Sequence, residues 1–322
     1  MILELIKNFF EKPILIVICE PKTQFLERML FQILLKIKMI TKKVKIVTQN
    51  VSFFLSHFEE FKQFPTVFLV LGWEIPANET KKIFLLLERT KNFKLIINAD
   101  RFANFLPKKK LPFECATYGI STESDFKASY LTLNHGINFK LEYSAKILPI
   151  WIENCFGTEI IYSALVTLAL GNFLGLNLIE LSQKLSKFSP PVGRMRLVEG
   201  INGSFIFDNS RCKLREEFLE AIEIFLKLSS FKRKFLVLGL NEKIYYLKPE
   251  EVLRIVFGPE IEKKKFIEKL KEKEFQNFQI FNSQEEFENQ IKPNLREKDL
   301  ILINGLNFPR LIQLVDRLRK IW

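Results

Sequence analysis

Residues 188–222 read FSPPVGRMRLVEGINGSFIFDNSRCKLREEFLEAI, and this stretch divides the chain. Ser189-Pro190-Pro191-Val192-Gly193 cannot continue a helix: proline lacks the N–H a helix needs and pushes the residue before it out of the α region. It reads as a hinge or linker. Beyond it come Arg194 to Val198, a Gly200-Ile201-Asn202-Gly203 turn and an apolar strand from Ser204 to Phe207. Asp208-Asn209-Ser210 and an amphipathic helix from about Glu216 follow. In an α/β sheet the order strand, polar loop, helix puts the loop at the carboxyl end of a strand, where ligands bind, and Asp208 would hold its first position. Taken alone, Asp208-Asn209-Ser210 is equally a helix-entry turn.

Working outward toward the amino terminus, Met1 to Lys12 reads as a short amphipathic helix, and Ile14 to Ile18 is a run of consecutive apolar residues. Such a run predicts a strand buried on both faces, as in a parallel sheet. Cys19-Glu20-Pro21-Lys22-Thr23 and a helix through Lys36 follow, the layout of a phosphate-binding loop, although a Lys-Thr at a helix start is also common without a ligand. Further strands are expected at Val44–Thr48, Thr66–Leu71 and Lys94–Ile97, with a helix from about Asn78 to Thr90. The third strand leads into Gly72-Trp73-Glu74, the fourth into Asn98-Ala99-Asp100, and Ala128 to Ile150 reads as a small β-meander. Tyr162 to Leu181 is about long enough to span a membrane, but it contains Asn172, Asn177 and Glu180. A buried helix broken near Gly171 to Gly175 is the expectation, with no membrane span.

Toward the carboxyl terminus, strands at Phe235–Leu238, Ile255–Phe257, Phe278–Phe281 and Leu300–Ile303 alternate with helices near Pro249–Arg254, Glu260–Glu272, Gln284–Gln290 and Pro309–Ile321. That alternation implies a mainly parallel sheet with helices on both faces. The predicted fold class is therefore α/β in two domains. Residues 1–190 form a P-loop-like, mainly parallel sheet domain, and residues 191–322 a smaller Rossmann-like α/β domain.

Composition narrows the function classes. The chain has 322 residues, 48% hydrophobic and 27% charged, which is the make-up of a folded protein with room for two cores. A net charge of +12 invites a nucleic-acid or anionic-membrane reading. The basic triplets Lys108-Lys109-Lys110, Lys232-Arg233-Lys234 and Lys263-Lys264-Lys265 are separated and lack any nucleic-acid signature, so they read as solvated faces, and no nucleic-acid partner is expected. Cys19, Cys115, Cys155 and Cys212 lie far apart with only two histidines in the chain, which suggests neither a disulfide framework nor a zinc or other metal site. With no signal peptide evident at Met1-Ile2-Leu3-Glu4, a reducing cytoplasm is the expected setting.

Gly193-Arg194, a glycine-containing turn, an apolar strand and Asp208-Asn209-Ser210 before a helix resemble the Mur ligases. The likeness is nearest to the member that adds D-alanyl-D-alanine to the muramoyl tripeptide, whose pattern here is G-R, then D-D-S-Y-N-A-N-P. Gly193, Arg194, Asp208 and Ser210 agree, while Arg211, Cys212, Leu214 and Arg215 replace Tyr, Asn, Asn and Pro. Lys22-Thr23 match the K-T of I-T-G-[ST]-x-G-K-T-T, but no glycine precedes Gly72 and Glu20 adds a negative charge beside the phosphate position. Asn98-Ala99-Asp100 resembles N-x-D-D, and Thr117-Tyr118-Gly119 with Asp125 resembles T-F-G with a following acid. Glu159, Ile160 and Ser163 replace the histidine and both asparagines of G-x-H-N-x-x-N-A-x-A, leaving Gly157 and Ala164. Asn304, Leu306 and Asn307 replace Lys, Ser and Arg of the closing K-G-S-R. Glu74 stands near the family's magnesium glutamate but displaced from it, and reads equally as a surface carboxylate.

The resemblance runs from Ile14 to Leu318 and covers the family's central and C-terminal parts. It implies ATP and magnesium as cofactors, with Lys22, Thr23, Arg194 and Asp208 as the nucleotide-binding contacts. It also implies ancestry among the ATP-dependent amide ligases of peptidoglycan precursor synthesis. The lost residues point to a degenerate, non-catalytic protein that partners cell-wall synthesis enzymes. The alternative is an active but divergent ATP-dependent carboxylate–amine ligase. Arg194 and Asp208 are expected to face a cleft between the domains, or instead to pair with each other or cap helices. On the degenerate reading, replacing Asp208 or Lys22 by alanine is expected to leave stability nearly unchanged.

Overall fold

The computed structural model describes residues 14–19, 25–34, 44–72, 75–102, 113–212, 214–238, 256–257, 280–281, 284–306 and 309–320. The chain forms two compact units. The first comprises Met1–Leu131, Asn138–Ile152 and Thr158–Phe188, and the second Thr132–Ile137, Glu153–Gly157 and Ser189–Trp322.

In the first unit, β1 (Ile14–Cys19), α1 (Phe25–Ile33), β2 (Val44–Gln49), α2 (Val51–Ser56), α3 (Phe58–Phe61), β3 (Thr66–Leu71), α4 (Ala77–Leu87), β4 (Phe93–Asn98), α5 (Ala99–Phe102) and β5 (Glu114–Gly119) alternate along the chain. They lead into β6 (Phe126–Asn134), β7 (Gly136–Tyr143) and β8 (Lys146–Glu153), and the sheet order is β2-β1-β3-β4-β5-β6-β7-β8. From β2 to β6 every pairing is parallel. Neighbours β2 and β3 flank β1 on opposite sides, which is the switch point of a doubly wound sheet. The β7–β8 connection is Ser144-Ala145, both with φ near +50° (45° and 58°), as a two-residue hairpin turn requires.

Both faces of the sheet are covered at β1, β3 and β4, which is why these strands are nearly apolar throughout, whereas β6, β7 and β8 alternate buried and exposed positions. Leu15, Val17, Leu69, Leu95 and Ile97 pack against Val51, Phe54, Phe61, Ile83 and Leu87. Toward the other face α1 packs on α6 (Thr158–Phe173), and the Phe68 ring meets Phe173 at 5.6 Å. The apolar segment around Tyr162 is thus an interior helix. It stops before Gly175, and Asn177 accepts the Ile179 N–H at 2.9 Å to cap α7 (Leu178–Leu185). Among the described residues no helix is long and apolar enough to cross a membrane.

The second unit is built on β9 (Arg196–Glu199), β10 (Phe205–Cys212), α8 (Arg215–Lys227), β11 (Arg233–Leu238), β12 (Val256–Phe257), β13 (Ile280–Phe281), α9 (Gln284–Ile291), β14 (Asp299–Leu306) and α10 (Pro309–Leu318). Its main sheet has the order β11-β14-β10-β9, parallel except for the antiparallel edge strand β9, and β12 pairs with β13 in parallel. Ile206, Val237, Ile301 and Ile303 bury one face against Leu311, Leu314 and Val315 of α10. The expected helices over 249–254 and 260–272 lie outside the described residues.

The polar loop expected after Phe207 is not found. Asp208-Asn209-Ser210 is not a loop but the middle of β10, which runs on to Cys212. Hydrogen-bonded neighbours on both sides, Asp208 opposite Ile303 and Arg196, and Asn209 opposite Asn304, keep the backbone extended where the polar side chains alone suggest a turn. The register shifts only between Asn209 and Cys212.

Candidate functional site

The polar centre of the second unit gathers at the carboxyl half of β10. Asp208 is 0% exposed and accepts the Gly193 N–H at 3.0 Å, the Ser210 N–H at 3.2 Å and the Ser210 hydroxyl at 2.7 Å. Burial pushes its carboxyl above the ordinary carboxylate range, against the pull of the Ser210 hydroxyl and N–H, Arg196 and the Gly193 N–H. Gly193 has φ +80°, and a Cβ there would stand 2.5 Å from Cγ of Arg211, so the close approach that lets its N–H reach Asp208 needs glycine.

Arg194 is 2% exposed and forms a two-pronged pair with Glu217 of α8, Nε to Oε1 at 2.7 Å and Nη2 to Oε2 at 2.9 Å. A third linkage crosses the sheet: Asn209 Nδ2 donates to Asn304 Oδ1 at 2.9 Å, and Asn304 Nδ2 donates to the Phe218 carbonyl at 2.9 Å. Asn209 Oδ1 accepts the Met195 N–H at 3.3 Å. Arg194 and Asp208 therefore neither reach the surface nor pair with each other. Each is held by a residue of its own unit. Glu217 was not legible as Arg194's partner, because its only sequence signal is a place in the first turn of a helix, where acids are favoured anyway.

In the first unit the carboxyl ends of the strands carry a second polar group. Asp100 accepts the N–H groups of Ile120 at 2.6 Å, Ser121 at 2.9 Å and Thr122 at 2.6 Å, and the Tyr162 hydroxyl at 2.9 Å. Partial burial raises its carboxyl, but the hydrogen bonds from Ile120, Tyr162 and Thr122 together outweigh it and hold the group below the usual range. Thr117 donates both its N–H and its hydroxyl to Asp125 Oδ2 at 2.8 Å and accepts the Asp125 N–H at 2.9 Å. The Thr117/Asp125 pair is thus a brace between the end of β5 and the start of β6. Ile160 and Ser163, which replace asparagines of the ligase pattern, are fully buried in α6. Lys22, Thr23, Glu20 and Glu74 lie outside the described residues.

A doubly wound, mainly parallel sheet followed by a second, smaller α/β sheet defines the class as a two-unit α/β protein. More particularly, the fold is that of the Mur ligases. MurF from Acinetobacter baumannii has a TM-score of 0.68 at 12% identity, with 98% of this chain and 78% of that chain covered. MurF from Thermotoga maritima, determined in complex with ADP, has a TM-score of 0.64 at 13% identity, covering 98% and 81%. A type C pseudomurein peptide ligase from Methanothermus fervidus has 0.59 at 14% identity, covering 98% and 81%. No family model matches the sequence, and no curated protein does.

Proposed function

We propose that this chain is a Mur ligase-like protein whose fold has outlived the ligase chemistry. It is a degenerate, non-catalytic relative of the ATP-dependent amide ligases of peptidoglycan precursor synthesis that binds or scaffolds cell-wall synthesis enzymes in the cytoplasm. The observation that carries the reading is the closure of the Arg194–Glu217 pair. A guanidinium gripped at 2.7 and 2.9 Å by a buried carboxylate offers a phosphate its Nε or Nη2 only by breaking that pair, and its Nη1 is itself buried. Breaking a buried pair in this way costs about 3–5 kcal/mol.

The remaining described groups support the same reading. Asp208 is engaged by Gly193 and Ser210, and the carboxylate of Asp100 occupies the N–H groups of Ile120 to Thr122. These commitments support a chain that does not hold ATP or magnesium through Arg194, Asp208 or Asp100. The glycine-free segment Cys19 to Thr23, with Glu20 in it, adds a sequence argument against tight phosphate binding. Calorimetry with ATP and magnesium tests the proposal, and no binding in the micromolar range is expected. Tight, magnesium-dependent binding that disappears in Lys22→Ala would overturn it and favour an active, divergent carboxylate–amine ligase.

A further inference from the structure

Beginning at Arg196, the cross-strand neighbour of Asp208, the second unit carries two adjoining clefts of about 730 and 720 Å3, both lined by His135, Glu199, Phe205 and Lys320. Small-molecule sites span roughly 300–1,000 Å3. Part of the lining is aromatic. The rings of His135, Phe205 and Phe231 meet pairwise, at 5.0 Å for His135–Phe205 and 5.4 Å for each of the other two pairs. The walls are set by backbone hydrogen bonds between segments far apart in sequence. The Asn154 N–H donates to the His135 carbonyl at 2.8 Å, the Leu197 N–H to the Asn154 carbonyl at 2.8 Å, and the Lys320 N–H to the Glu199 carbonyl at 3.0 Å. Such a site is formed before any ligand arrives.

Its charge is unbalanced toward cations. Arg196, Arg319, Lys320 and Lys298 line the clefts against the carboxylates Glu199 and Glu297. Arg319 stands 3.7 Å from Asp316, Lys320 3.7 Å from Glu199, and Arg196 3.8 Å from Asp208. These separations exceed the ~3.2 Å reach of an N–H···O hydrogen bond, so the pairs are loose. Nε of Arg196 is buried without a hydrogen-bond partner among the described residues. The Arg196 side chain as a whole keeps 17% exposure, so part of it is open to the cleft. The aromatic part gathers at Phe205, the amino-terminal end of β10, whereas the ligase-like positions Asp208 and Ser210 lie farther along the strand.

We infer that these clefts bind a small organic phosphate carrying a planar ring, the phosphate on Arg196 and Arg319 and the ring against Phe205 and His135. Arginine forks match phosphate oxygens, and an aromatic surface takes the ring. The inference does not depend on the proposed function. Phenyl phosphate is the probe, titrated into the full chain by NMR, with inorganic phosphate and benzyl alcohol as its two halves. Phenyl phosphate is expected to saturate at about millimolar concentration, without magnesium and equally in Lys22→Ala, while benzyl alcohol does not saturate. Arg319→Gln, at an exposed side chain whose loss leaves folding intact, should weaken binding roughly 5-fold, and Arg196→Gln by roughly 10-fold or more. Phe205→Leu should abolish the preference for phenyl phosphate over inorganic phosphate. Absence of saturation at about ten times that concentration, or binding unchanged in both arginine variants, overturns the assignment.

Discussion

Arg194 is the residue whose surroundings say most about this protein. Since the pair with Glu217 is buried on both sides, Glu217→Ala leaves a guanidinium with lost compensation and should destabilise by about 3–5 kcal/mol in denaturant melts. The double replacement Arg194→Met/Glu217→Leu removes both charges and should recover most of that loss; a double variant as unstable as the single one would contradict the account. For Asp208 the sequence alone suggests a dispensable loop carboxylate, and the structure corrects this. Asp208→Ala leaves the buried Gly193 N–H and Ser210 hydroxyl without their acceptor and should cost about 1–3 kcal/mol. The two aspartates also respond oppositely to pH. Burial raises Asp208 above its ordinary 3.8, so the folded state holds its proton more tightly than the unfolded chain. Its contribution is fully present below 3.8 and declines as pH rises through the folded value. Asp100 is held below 3.8, so its contribution is present above that value and lost as pH falls through the folded one. Midpoints measured across pH should show Asp208→Asn relieving a loss on the alkaline side of 3.8, and Asp100→Asn removing a loss on the acid side.

At the scale of elements, apolar runs translated directly into strands. Thr66–Leu71 is β3 to the residue, and Ile14–Cys19 extends the expected strand by one position, because burial on both faces demands an unbroken apolar segment. Val237 lies at 0% exposure in β11, so Val237→Asp puts an unpaired charge into the core of the second unit and should abolish its cooperative unfolding transition. Helix α6 shows the same logic in three dimensions: Gly171 is needed because a Cβ there would meet Cδ1 of Leu181 at 2.1 Å. Gly171→Ala should therefore destabilise by about 1–3 kcal/mol by overpacking α6 against α7, despite the better helix propensity of alanine. A melt showing stabilisation would mean that Leu181 repacks without cost. The length of β10 was not legible, since Asp208-Asn209-Ser210 is turn-forming chemistry in isolation. Only pairing to β14 and β9, and the Asn209–Asn304 link at 2.9 Å, make it a strand.

At the scale of the whole molecule, the second unit is discontinuous in sequence. Phe156 is fully buried, its ring 5.0 Å from Phe207, and its N–H donates to the Met195 carbonyl at 2.9 Å. A fragment of residues 189–322 lacks that packing and the Asn154 contact to β9. It should melt well below the corresponding transition of the full chain, and an unchanged midpoint would show that residues 132–137 and 153–157 contribute nothing. The order of apolar strands and helices, the breakers at Pro190-Pro191 and the ligase-like motif order were determined by the sequence itself, because periodicity and backbone chemistry act locally. Which acceptor a buried polar group finds was decided only by the tertiary structure. Arg194 closes on Glu217, Asp100 closes on the backbone of Ile120 to Thr122, and His135 meets Phe205 and Phe231, each across 20 or more positions. Residues that distant carry no signal of their pairing in one chain, since it depends on which strands the sheet places side by side.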